Sequence, residues 1–233
     1  MDSISLKRTE TQVRVNEYVR SVYNWMAIGL GLTGFVAFYV SNSENLLRLI
    51  VGNQLIFFGL IIAELALVFT ISARVHKMQA STATSLFIIY AVLNGATLSA
   101  IFLIYTSSSI TSTFFICAAT FIFCSIYGWI TKKDLTSLGG FMIMGLFGII
   151  IASVINIFVR SSGMSTIISY IGVLVFVGLT AYDTQKIKNM ALVQPVGIDA
   201  GAIRKGAILG ALSLYLDFIN LFLMLLRVLG NRD

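Results

Sequence analysis

Charge is what this sequence has least of: 11 % of its 233 residues are Asp, Glu, Lys or Arg, against about 25 % in an average soluble domain. Apolar residues make up 58 %, so a water-soluble globule is excluded and a membrane solvent is implied. Proline is down to one residue, and no Pro-, Ser- or Gly-rich linker divides the chain, which reads as a single domain over 1–233. The only cysteines, Cys117 and Cys124, fall seven apart in one apolar stretch; they share a helix face as buried thiols and make neither a disulfide framework nor a metal site. The single His76 is too little for a triad or a zinc centre, and a phosphate-cradling GxxxxGK and a GxGxxG following a strand are both absent. The expectation is a protein that is not an enzyme and carries no cofactor. A net charge of +6 would suggest nucleic acid in a soluble protein; here it reports membrane topology, and no nucleic-acid partner is expected.

A helix needs about 20 apolar residues to cross the hydrocarbon core, and seven such stretches are present: Ser21 to Val40, Asn53 to Ala73, Ala83 to Tyr105, Ile110 to Ile130, Gly139 to Val159, Met164 to Asp183 and Gly206 to Leu226. The predicted class is therefore all-α, a polytopic protein of seven transmembrane helices in the lipid bilayer. Short connections leave no space for a soluble catalytic domain. The first span follows a mixed-charge segment and lacks a small-x-small cleavage site, so it is not expected to be a removable signal peptide.

Basic residues in short loops set orientation. With residues 1–20 in the cytoplasm, twelve of the sixteen Lys and Arg lie inside, among them Arg74, Lys77, Lys132, Lys133, Lys186 and Lys205. Only Arg48, Arg160, Arg227 and Arg232 lie outside. The segment 184–205, with Pro195 and Gly197, reads as the longest cytoplasmic loop. Seven spans put the C-terminus outside; a re-entrant last segment would return it to the cytoplasm.

Three acids remain inside the spans: Glu64, Asp183 and Asp217. An ionised carboxylate at the bilayer centre costs roughly 2.5 to 3.5 kcal/mol even on lenient insertion scales, so such groups face a protein interior or a wet cavity. Glu64 is nine residues from the end of its span, about 14 Å deep at the helical rise, and Asp217 is about 16 Å deep. Asp183 closes the sixth span as drawn, so it meets Asp217 only if these helices extend past their apolar stretches.

On the last span Gly206, Gly210, Ser213, Asp217, Asn220, Met224 and Arg227 recur at intervals of three and four, which puts them along one helix face. Every polar residue of that span except Tyr215 lies on this stripe. A helix that is apolar elsewhere suits a central position with its seam lining a path. The plainer alternative is close helix packing at the small residues, with Ser213 and Asn220 as interhelical hydrogen-bond glue.

The segments FVGLTAYDTQKIK over Phe176 to Lys188 and ALSLYLDFINLFLMLLRVLG over Ala211 to Gly230, with a weaker match in NGATLS at Asn94 and Gly95, resemble the Bax inhibitor family, the transmembrane Bax-inhibitor-motif proteins, and its bacterial branch most closely. The resemblance extends over nearly the whole chain. It implies a last helix central among six others, and a pair of aspartates acting as pH sensor of a calcium leak, which are Asp183 and Asp217 here. It also implies a basic latch near the cytoplasmic end of the second span, for which Arg74 is the candidate, and a bacterial inner-membrane location.

The leading expectation is thus a passive, pH-sensitive cation path, with Asp183 and Asp217 as gate and weak calcium ligands. Calcium takes several oxygen ligands, and Asn220, Ser213, carbonyls and water could complete a loose set. Glu64 and Arg227 are further candidates for the path or latch. Two carboxylates about 4 Å apart repel by roughly 4 kcal/mol at an effective dielectric of 20, so such a pair holds one proton in common and titrates as a unit. One alternative is an intramembrane aspartyl protease, but Leu214, Tyr215 and Leu216 precede Asp217 where such enzymes need Gly-x-Gly. Another is a non-conducting regulator that binds a membrane protease or another membrane protein.

Overall fold

A computed structural model describes residues 2–193 and 199–231, with side chains from Val13 onward. Pro195 and Gly197 lie outside the described residues. The described chain is almost wholly helical and contains no strand. Eight α-helices follow in order: α1 (Asp2–Ser41), α2 (Glu44–Ile50), α3 (Gln54–Arg74), α4 (Ala80–Leu98), α5 (Ser107–Ile130), α6 (Thr136–Val159), α7 (Ser162–Leu192) and α8 (Ala200–Leu229). All but the short α2 are long and apolar enough to cross a membrane, as the seven apolar stretches predict.

Helix ends differ from the apolar stretches where polar sequence continues a helix. Segment 1–20 is not a separate tail, because α1 begins at Asp2. Segment 184–205 is mostly helix rather than loop: α7 runs on to Leu192 and α8 starts at Ala200. The cause is visible in the sequence. No proline or glycine interrupts DTQKIKNMAL, and Gln, Lys, Met and Leu are good helix formers in water or lipid. Asp183 therefore sits nine residues inside α7, not at a helix end.

Polar side chains punctuate the turns. The Asn53 side chain accepts from the N–H groups of Leu55 and Ile56 at 3.1 and 3.3 Å and starts α3. Thr106 does the same for α5, accepting from Ser109 N–H at 3.2 Å. Before α6, Asp134 accepts from the Thr136 hydroxyl at 2.6 Å and its N–H at 2.9 Å, and these donors hold its carboxyl below the ordinary carboxylate range. Arg160 adopts φ 53°, the left-handed conformation that stops α6.

The chain forms two compact units, Met1–Ile104 with Lys188–Tyr215, and Tyr105–Ile187 with Leu216–Asp233. In the first, α1 packs on α4 and α4 on α3. In the second, α7 is held closely by α5 and α6. A Cβ on Gly128 of α5 would collide with the Ala181 carbonyl, one on Gly139 of α6 with the Tyr182 ring, and one on Gly145 would lie 2.9 Å from Val175. Close helix approach through small residues replaces the hydrophobic effect as the packing force in lipid.

Burial is very uneven. Within the apolar window of α8, 72 % is buried, against 6 % in α6; the last helix is the most enclosed, as its stripe predicts. On α6 Phe141, Phe147 and Phe158 are exposed, an apolar surface that water would not tolerate and lipid tails do.

These contacts predict that Gly128→Ala destabilises the protein in detergent by about 1–3 kcal/mol, the usual overpacking penalty. Gly140, whose added Cβ would meet nothing within 4 Å, should tolerate alanine or gain up to about 1 kcal/mol of helix propensity. Thermal unfolding of the two variants is the comparison; equal melting temperatures would refute the tight α5–α7 contact.

Candidate functional site

The AYDTQ segment of α7 is a scaffold that presents one acid. Ala181 abuts Gly128 and Tyr182 covers Gly139. Gln185 clamps the turn between α5 and α6, its Oε1 accepting from Leu135 N–H at 2.8 Å and its Nε2 donating to the Lys133 carbonyl at 2.8 Å. With those neighbours fixed, Asp183 is left half-buried and within Coulombic range of Asp217 of α8.

Asp217 is 5 % exposed, and its Oδ2 has no hydrogen-bond partner among the described residues. Around it α8 is locked by neighbouring aromatic contacts: Phe218 stacks edge-on against Phe114 and Phe121, with ring centroids 5.6 and 5.5 Å apart. The Cys117 thiol points to the Phe218 carbonyl at 3.6 Å, so this cysteine is a packing group, and both cysteines are buried and free. Lys186 lies in Coulombic range of both aspartates and rests over the Tyr182 ring at 5.9 Å. An exposed cation one turn beyond Asp183 thus acts electrostatically on both acids. Sequence reasoning placed Lys186 only as a topology marker.

Glu64 is solved differently. It is buried at the midpoint of α3, and both carboxyl oxygens are occupied by α4: Asn94 Nδ2 donates to Oε2 at 3.0 Å and Thr97 Oγ1 to Oε1 at 2.8 Å. The Tyr215 hydroxyl donates to Asn94 Oδ1 at 2.9 Å and lies 2.6 Å from the Thr33 hydroxyl, which donates to the Ala91 carbonyl at 2.8 Å. Two glycines allow this approach. A Cβ on Gly95 would sit 2.7 Å from the Thr33 carbonyl, and one on Gly29 2.7 Å from the Phe87 ring and 3.2 Å from Tyr215. Tyr215, the polar residue off the stripe, is therefore the α8 group that reaches this network, and that exception was its only signal in the sequence.

The remaining candidates are dispersed. Ser213 and Asn220 are half-buried. The Asn220 amide donates to the Leu216 carbonyl of its own helix at 2.8 Å, which is an intrahelical contact rather than interhelical glue. Arg74 and Arg227 are exposed, at and near the ends of α3 and α8. Among the described residues no three His, Cys, Asp or Glu side chains gather as a metal site.

Seven long apolar helices with an apolar exterior and two acids, Glu64 and Asp217, enclosed by helices define a polytopic α-helical membrane protein. The family model described as "Inhibitor of apoptosis-promoting Bax1" matches residues 15–233. The chain belongs to this Bax inhibitor family. It is 50 % identical over 231 residues to the inner membrane protein YbhL of Escherichia coli K12, covering 99 % of this chain and 97 % of that protein. A protein of Borreliella burgdorferi is 44 % identical over 230 residues, with 98 % of each chain covered. The membrane protein SpyM3_0260 of Streptococcus pyogenes is 40 % identical over 228 residues, with 97 % of each covered. The family and its bacterial character thus agree with the resemblance carried by the two aspartate segments.

The Gln185 clamp predicts a local effect. Gln185→Ala removes two hydrogen bonds of about 0.5–1.5 kcal/mol each, so the Leu135 amide should exchange with deuterated water several-fold faster in detergent, while α3 amides are unaffected. Unchanged exchange at Leu135 would contradict the clamp.

Proposed function

We propose that the protein is a pH-sensitive passive leak for cations, with calcium as the cation, gated by the Asp183–Asp217 pair. The observation that supports this reading is the Asp217 carboxyl, enclosed by the protein with one oxygen unpartnered among the described residues and near enough to Asp183 for their charges to interact. Two like charges in an apolar surrounding repel strongly unless a proton or a cation lies between them. Calcium, which favours oxygen ligands, can take the place of that proton weakly. Ser213 and Asn220 are candidate neutral ligands, and Arg74 and Arg227 candidate latch or path residues. A weak site suits a leak, since an ion must leave as readily as it enters. The protein is then a transporter of ions without enzymatic chemistry, placed in the bacterial inner membrane like its relative in Escherichia coli. A non-conducting regulator of a membrane protease or another membrane protein is the competing function.

Calcium flux into liposomes separates the two. Wild-type protein should show a flux with a pH-dependent step between about pH 5 and 9, and Asp183→Asn or Asp217→Asn should each abolish the step. A step that survives both substitutions would place the sensor elsewhere, and no flux at any pH would favour the regulator.

The orientation belongs to the same proposal. Twelve of sixteen basic residues lie on one side when the N-terminus is cytoplasmic, so cysteines placed at Ser3 and Gln194 should both resist an impermeant reagent added to intact cells. The native thiols are buried and give no background. Labelling of both from outside would reverse the topology.

A further inference from the structure

The chain from Glu64 to Ala91 does not close on its protons as drawn. Three contacts beyond Asn94 each need one: Tyr215 to Asn94 Oδ1 at 2.9 Å, Tyr215 to Thr33 at 2.6 Å, and Thr33 to the Ala91 carbonyl at 2.8 Å. Only two hydroxyl protons are available, because a hydroxyl donates once. With Glu64 ionised, the Asn94 amide must give its N–H to the carboxylate and its carbonyl to Tyr215. One short oxygen–oxygen contact then has no proton.

Reversing the Asn94 amide removes the shortage, since its oxygen and nitrogen are nearly isosteric and a half-turn of the amide exchanges acceptor for donor at each position. A protonated Glu64 donates from Oε2 to the Asn94 carbonyl, the Asn94 N–H donates to Tyr215, Tyr215 donates to Thr33, and Thr33 donates to Ala91. Thr97 still donates to Oε1. Each contact on the path from Glu64 through Asn94, Tyr215 and Thr33 to Ala91 now carries one proton, and each donor on that path points away from Glu64.

We propose that Glu64 is a proton-binding site separate from the aspartate pair, and that its proton sets the orientation of the Asn94 amide and the donor direction of the chain through Tyr215 and Thr33. The ligand is a proton, and the readout is carried to α1 and α8 by hydrogen bonds alone. No cation competes for the carboxyl. From α4 the ionisable group in electrostatic reach is Tyr90, from α8 it is Tyr215, α1 contributes the neutral Thr33, and among the described residues no Lys or Arg acts on the carboxyl. The inference does not depend on ion conduction.

Infrared difference spectra of the full-length protein in lipid nanodiscs, taken across a pH series, test it, because only a protonated carboxyl gives a carboxylic C=O stretching band. A band lost on raising the pH should be present in wild type and in an Asp183→Asn/Asp217→Asn variant, and absent in Glu64→Gln. Thr33→Val supplies the discriminating arm. Without the Thr33 hydroxyl, Tyr215 can donate to Asn94 with no unprotonated contact left, so the ionised arrangement becomes complete. The band should then vanish about one pH unit lower than in wild type, a tenfold change in proton affinity. Thr33→Val is nearly isosteric, and its melting curve verifies the fold. The proposal is overturned if no band depends on Glu64, if the band persists at every pH, or if Thr33→Val and wild type lose it at the same pH.

Discussion

An acid carried on an apolar helix must find its partners inside the protein, because lipid offers none. Everything distinctive in this structure follows from that constraint acting on Glu64, Asp183 and Asp217. Glu64 receives neutral donors: Asn94 and Thr97 occupy both of its oxygens, and tight packing at Gly95 and Gly29 brings Thr33 and Tyr215 up behind them. Asp183 and Asp217 instead receive each other, with Lys186 in electrostatic range. The first solution satisfies its acid and stiffens the unit that holds it. The second leaves an Asp217 oxygen without a hydrogen-bond partner among the described residues, the exception in a structure whose buried polar groups are otherwise mostly paired.

Glycine and glutamine do the positioning that charge cannot. Gly128 and Gly139 let α5 and α6 close on α7 at the two residues before Asp183, and Gln185 ties the same stretch to the backbone of Lys133 and Leu135. The AYDTQ segment is thus a rigid platform whose non-acidic members fix the direction of its acid. The aromatic cluster of Phe114, Phe121 and Phe218 serves the same end on α8. These supports consist of packing and neutral hydrogen bonds, which salt does not screen.

The seven spans were legible because lipid selects for long apolar runs, and hydropathy reads them directly. Their ends were not, since helix continues through polar sequence once no proline or glycine stops it, as at DTQKIKNMAL. Glu64, Asp183 and Asp217 stand out in the sequence for the same reason as the spans, as an isolated acid in such a run has few structural excuses. Their partners were hidden. The stripe on the last span takes in Asp217, which the structure buries, but it also leads to an expectation of interhelical bonds from Asn220, whose amide turns back on its own helix. Tyr215 is the one polar residue of that span off the stripe, and it is the residue that reaches Asn94. Helical spacing reports which residues share a face, whereas a hydrogen bond depends on the distance between two helices, and small residues such as Gly95 set that distance.

The central claim is that Asp183 and Asp217 behave as one titrating unit. Carbon NMR of protein labelled at the aspartate carboxyls, recorded over a pH series in nanodiscs, examines it without relying on transport. Coupling predicts that the two signals shift together in a broad, two-step curve, and that Asp217→Asn leaves Asp183 with a single ordinary step. Two independent single-step curves in the wild type, with Asp183 indifferent to Asp217→Asn, would contradict it.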